Sequence, residues 1–107
     1  MNNEARFTKL MEMLEANPSD VFLNFAVAME YLGRGNEAKT IEWLIKTLQY
    51  DETLVAAYYQ LGLLFMNAEQ PDEATRYLNK GMKYARSQND QKSVREIQAL
   101  LDELMDW

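Results

Sequence analysis

Leu10, Leu44 and Leu78 stand at equal intervals of 34 residues, and at that spacing the chain falls into register with itself without a gap. Leu14, Leu48 and Met82 align in the same way, as do Val21 with Val55, Lys46 with Lys80, and Tyr50 with Tyr84. Small residues recur together: Ala28 with Gly62, Thr40 with Ala74, Thr47 with Gly81. A fixed period of this length means stacked copies of one supersecondary unit, not one irregular core. It also makes a binding scaffold the default function, because such stacks present extended surfaces.

Each copy reads as two helices. Phe7, Leu10, Met11 and Leu14 recur at intervals of three and four, the period of one helical face. Asn17-Pro18-Ser19-Asp20 breaks the chain and offers capping side chains. From Phe22 to Leu32 the sequence is nearly all apolar, so this helix must be covered on more than one side. Gly33 to Asn36 is a turn, and Ile41, Leu44, Ile45 and Leu48 form the next stripe. Asp51-Glu52-Thr53 is expected to start the following helix. Asn67 to Pro71 turns again, with Pro71 suited to a first helical turn. After a last break at Ser87 to Asp90, Ser93-Val94-Arg95-Glu96 reads as a capping box ahead of Ile97, Leu101 and Leu104. Gly62 and Gly81 fall inside helices, where each costs about 1 kcal/mol against Ala. Two such costs at matching places point to a close helix crossing.

The residues that repeat resemble the tetratricopeptide repeat. In the copy 55–88 the pattern is carried by Tyr58, Leu61, Gly62, Phe65, Ala74, Leu78 and Gly81. The copy 21–54 is looser: Asn24 stands where the family has an aromatic and Thr40 where it has Ala. Upstream, Leu10, Leu14, Asn17 and Pro18 resemble the end of a further copy. The resemblance covers residues 5–88. It implies an all-α helical-hairpin solenoid, an alpha-alpha superhelix of about two full repeats, forming one domain over 1–107. Residues 5–20 are a partial repeat, 21–54 and 55–88 the two repeats, and 89–107 a C-terminal capping helix. That helix leaves the repeat register by about two residues, and folding back over the binding face is the alternative to capping.

In proteins similar to this one the first helix of each repeat lines the concave side. Carried over, the partner-binding residues are Phe22, Phe25, Met29 and Leu32, followed by Tyr59, Gln60, Leu63, Met66 and Asn67. Gly33 and Ala56 stand beside them. Met and aromatic side chains suit an adaptable apolar interface. The implied function is a non-enzymatic scaffold or adaptor that takes a peptide or amphipathic helix of another protein. The alternative is a structural module that forms a homodimer through the same surface. Family members that hold the C-terminal carboxylate of heat-shock chaperones use Lys, Asn and Arg at concave sites. Here those sites hold Phe25, Met29, Ala56 and Gln60, so the cationic clamp is missing.

Composition narrows the rest. The chain of 107 residues has no His and no Cys, which removes histidine bases, thiol nucleophiles and imidazole or thiolate metal sites. Among its 17 acidic residues the near neighbours, Glu12 and Glu15, Asp72 and Glu73, and Asp102, Glu103 and Asp106, fall on polar faces or at helix starts, where solvation and the helix dipole account for them. No cofactor and no metal are expected. A net charge of −6 opposes binding to nucleic acid phosphates. No apolar run approaches the ~18 residues of a membrane span, and no secretory signal is visible, so a cytoplasmic protein is expected.

Overall fold

The computed structural model describes residues 2–107 and contains six helices: α1 (Asn3–Ala16), α2 (Val21–Gly33), α3 (Glu37–Tyr50), α4 (Val55–Asn67), α5 (Pro71–Ser87) and α6 (Gln91–Met105). No strand is present among the described residues. Contacts cluster into two compact units, one ending at Glu52 and the other beginning at Thr53. Repeat architectures make local contacts of this kind, each element touching its neighbours.

The first unit is the α2–α3 hairpin with α1 packed against α2. Asp20 caps α2 by accepting the Leu23 amide at 3.0 Å, and Asn36 caps α3 by accepting that of Lys39 at 3.1 Å. Gly35, at φ +74°, makes the reversal between them. The buried side of α2 carries Asn24, Val27 and Ala28, and that of α3, packed against it, carries Thr40, Leu44 and Thr47. Asn24 explains its departure from the family pattern: its amide donates to Pro18 O (3.0 Å) and Asp20 O (2.7 Å), tying the α1–α2 turn to the helix. Both Thr hydroxyls are satisfied within α3, Thr40 by Asn36 O and Thr47 by Trp43 O. The N-terminal half of α1 is held to the end of α2 by charge. Arg6 pairs with Glu30 at 2.8 Å, Arg34 with Glu4 at 2.6 Å, and the Arg34 guanidinium lies over the Phe7 ring. Glu4 and Arg6 thus clasp the two helices while remaining largely exposed.

The second unit is the α4–α5 hairpin closed by α6. Leu78, Met82 and Ala85 of α5, Val55 and Met66 of α4, and Ile97 and Leu104 of α6 form one buried cluster. Two aromatic stacks brace it, Tyr58 on Tyr84 and Phe65 on Tyr77. Both helical glycines sit at crossings. A Cβ on Gly62 would meet Leu78, and one on Gly81 would fall 2.8 Å from Tyr58 Cβ and 3.2 Å from Ile97 Cδ1.

Two helix starts differ from the sequence expectation. The segment Asp51 to Thr53 stays in the connection; α4 begins at Val55 after Leu54, which offers no side-chain cap. The cap of α6 is Asp90 rather than Ser93. The Asp90 carboxylate accepts the Ser93 amide at 3.1 Å and its hydroxyl at 2.6 Å, so Ser93 is the third helical residue of that cap. These two bonds, the hydroxyl's first, hold the Asp90 carboxyl below its ordinary value.

Candidate functional site

On α2, Phe22, Phe25, Met29 and Leu32 follow one another at intervals of three, four and three, which places them on one stripe. The opposite stripe carries the buried Asn24, Val27 and Ala28, so the first is turned away from the hairpin core. Phe22 is 77% exposed, and the other three are half-buried. A phenylalanine so open to water forgoes roughly 1.5–3 kcal/mol that burial would return. No hydrogen bond or charge recruits it to that position, and the first turn of α2 is already held by Asp20.

On α4, Ala56, Tyr59, Gln60, Leu63 and Asn67 occupy the matching stripe. Here the surroundings differ, because α6 borders it. Ala56, Tyr59 and Gln60 line a cavity of about 320 Å³ whose far wall is Ser93 and Glu96 of α6, with Gln88 and Asp90 at one end. Gln88 closes that end by donating to Thr53 O at 2.9 Å. The cavity lining also includes Val55 and two carboxylates, Asp90 and Glu96.

One of the residues expected at the site takes another role. Met66 is only 6% exposed and belongs to the α4–α5–α6 core, so it has no surface to offer a partner. Tyr59 packs against the same cluster while also lining the cavity. The cause is α6: Ile97 and Leu104 bring its apolar side onto α5, and its neighbouring face reaches α4. Ser93 and Glu96 are the wall that sequence reasoning did not find. Their only signal is the apolar stripe of α6, and that stripe is out of register with the repeat.

No protein-family model matches the sequence, and no curated protein matches it. Solved structures do. The crystal structure of a tetratricopeptide repeat domain protein from Salinibacter ruber is 27% identical and superposes with a TM-score of 0.75, covering 80% of this chain and 97% of the other. The chain folds as a tetratricopeptide-repeat domain. Other solved structures agree at lower identity. The TPR2B domain of yeast Sti1, solved in complex with pHsp70, is 19% identical over 94% of this chain and 80% of that one, with a TM-score of 0.84. A solution structure from Bordetella parapertussis is 24% identical over 94% and 87% of the two chains, with a TM-score of 0.81. In this tetratricopeptide-repeat domain α2–α3 and α4–α5 are helical hairpins, with α1 and α6 as flanking helices. No helix among the described residues is long and apolar enough to cross a membrane.

Proposed function

We propose that this domain is a non-enzymatic adaptor that takes an extended or amphipathic helical segment of another protein on the apolar faces of its first helices. The observation that carries the reading is Phe22. It is the most exposed aromatic on either face, and it leads a stripe that continues through Phe25, Met29 and Leu32. Aromatics placed this way bury much area on binding with little rotamer entropy lost, which is the profile of an anchor. The Sti1 domain, similar in fold, was solved with a bound partner, which supports a protein ligand for this one.

The chemistry around α4 selects among ligands. Asp90 and Glu96 stand beside Tyr59 and Gln60, and no cation lines that cavity. An acidic C-terminal tail would meet like charge there, whereas an apolar segment carrying Lys or Arg would meet opposite charge. The preferred ligand is therefore an apolar segment with a cation flanking its anchors.

Selection from a displayed peptide library on the purified domain tests this. The expected winners carry two or more large apolar residues and a nearby Lys or Arg. Phe22→Ser should weaken them by roughly 30-fold, the scale of a hot spot of about 2 kcal/mol. Equal binding by Phe22→Ser would remove the α2 face as the site. Selection of acidic tails would contradict the charge argument. Loss of self-association in Phe22→Ser, with no peptide selected, would favour the homodimer.

A further inference from the structure

The 34-residue register assigns every position on α1 an equivalent on α3 and α5. On α3 and α5, Thr40, Leu44 and Thr47, and Ala74, Leu78 and Gly81, are covered by the first helix of their own repeat and are buried. The equivalents on α1 are Arg6, Leu10 and Met13, and there the face is open. Met13 is 47% exposed. With Lys9, Ala26 and Glu30 these three line a groove of about 390 Å³. The period puts a first helix in that groove.

At the other end, α6 occupies the place of a first helix without a second. Ile97 and Leu104 cover α5, but Val94 and Leu101 line two cavities, of about 360 and 320 Å³, along the α5–α6 seam. Met105, beside the second cavity, is 82% exposed. The period puts a second helix on that seam.

The charges of the two ends match. Inside the first unit, Lys46 of α3 lines one cleft with Glu12 and Glu15 of α1. There a lysine of one helix stands in the same cleft as two acids of the other, its ammonium lying over the Trp43 ring. In the repeat register Glu12 is the α1 equivalent of Lys46, and the α5 equivalents of Glu12 and Glu15 are Lys80 and Lys83. An α1 that continued the period after α5 would bring Glu12 to Lys80 and Lys83, the same juxtaposition with its sign reversed. The α1–α6 contact agrees. α6 begins with Lys92 and Arg95 and ends with Asp102 and Glu103, whereas α1 places Arg6 and Lys9 before Glu12 and Glu15. With Glu96 and Glu4 counted, the first half of each helix is still net positive and the second net negative, so laid antiparallel, as the helices of a hairpin are, halves of opposite net charge face each other.

We propose that a second copy of this chain completes both ends. The α6 of one copy seats in the α1–α2 groove of the next, and the α1 of that next copy seats on α5 and α6. The contact is heterologous, so every copy retains one free end of each kind and assembly proceeds head to tail. It borders the peptide-binding faces, because Ala26 of the groove holds on α2 the register position that Gln60 holds on α4.

Sedimentation velocity of the whole chain tests it across a wide concentration range. The mass is expected to rise above the 12.5 kDa monomer with concentration, and less so at high salt. Glu12→Lys should weaken association at least about tenfold, since it sets like charges together. The pair Lys80→Glu and Lys83→Glu should do the same. Mixing the two variants should restore association, because opposite charges then meet at both contacts. All three positions are on the surface or its edge, and circular dichroism confirms that each variant is folded. A 12.5 kDa monomer at every concentration would overturn the proposal. So would association that charge reversal leaves unchanged, or that mixing does not restore.

Discussion

Gly62 of α4 lies directly on Leu78 of α5: a Cβ at position 62 would come 2.5 Å from Leu78 Cγ. The spacing of the second hairpin is set there. Leu78 is fully buried and belongs to the cluster that α6 also enters, so it has little freedom to yield.

Gly62→Leu should therefore destabilise the domain by about 1–3 kcal/mol through overpacking. In a chain of this size that lowers the melting temperature by about 4–8 °C per kcal/mol. Gly33→Ala is the contrast, because a Cβ at Gly33 meets nothing within 4 Å. It should be neutral or gain up to about 1 kcal/mol in helix propensity. Thermal melts of both variants check the pair, and equal effects would show that the crossing is not tight.

Glu69 holds φ +58° in the turn between α4 and α5, at the register position that Gly35 holds at φ +74° in the preceding repeat. The left-handed region costs a non-glycine residue about 1–2 kcal/mol. Part of that is returned as chain entropy when glycine is introduced. Glu69→Gly should therefore stabilise by about 0.5–1 kcal/mol, and Gly35→Ala should destabilise by a similar amount. Urea denaturation of the two variants should move the midpoints in opposite directions.

Asp90 is the cap of α6, and its carboxyl is held below the ordinary 3.8 by the Ser93 hydroxyl and amide. A depressed folded-state value means stability that is present above the unfolded value and lost as pH falls through the folded one. The acid limb of the stability curve should thus steepen below pH 3.8 in the parent. Asp90→Asn should flatten it while keeping a capping side chain. Melts taken from neutral pH downward would show parallel limbs if the cap contributes nothing.

Ile97 is the point where α6 closes the second unit, fully buried and against Gly81. Ile97→Ala should cost about 2–5 kcal/mol. Deleting residues 90–107 should go further and cause aggregation, since Leu78, Met82 and Ala85 lose their cover. A truncated chain that stays folded and monomeric and binds apolar peptides better would mean that α6 occludes rather than caps.

The helical hairpins were legible in the sequence because a gapless period repeats each contact. Leu44 and Leu78, or Thr47 and Gly81, report the same crossing twice. The helix starts were less legible. Leu54 caps α4 with no side-chain bond, so no residue type marks it, and at α6 both Asp90 and Ser93 are acceptable caps until their geometry is known. The site was legible only where the period governs it. Phe22, Phe25, Met29 and Leu32 lie on the expected stripe of α2. On α4 the stripe is altered by α6, which leaves the register, and no spacing rule says that it draws Met66 into the core or walls Tyr59 with Ser93 and Glu96.

The central claim is that the first-helix faces bind a partner segment. The most direct measurement is amide chemical-shift mapping of the labelled domain, titrated with a peptide selected on it. The largest shifts are expected around Phe22, Phe25, Met29 and Leu32 on α2, and around Tyr59, Gln60 and Leu63 on α4. Phe22→Ser should abolish the α2 set at the same peptide concentration. Shifts concentrated on α3 and α5, with the α2 and α4 faces silent, would contradict the account.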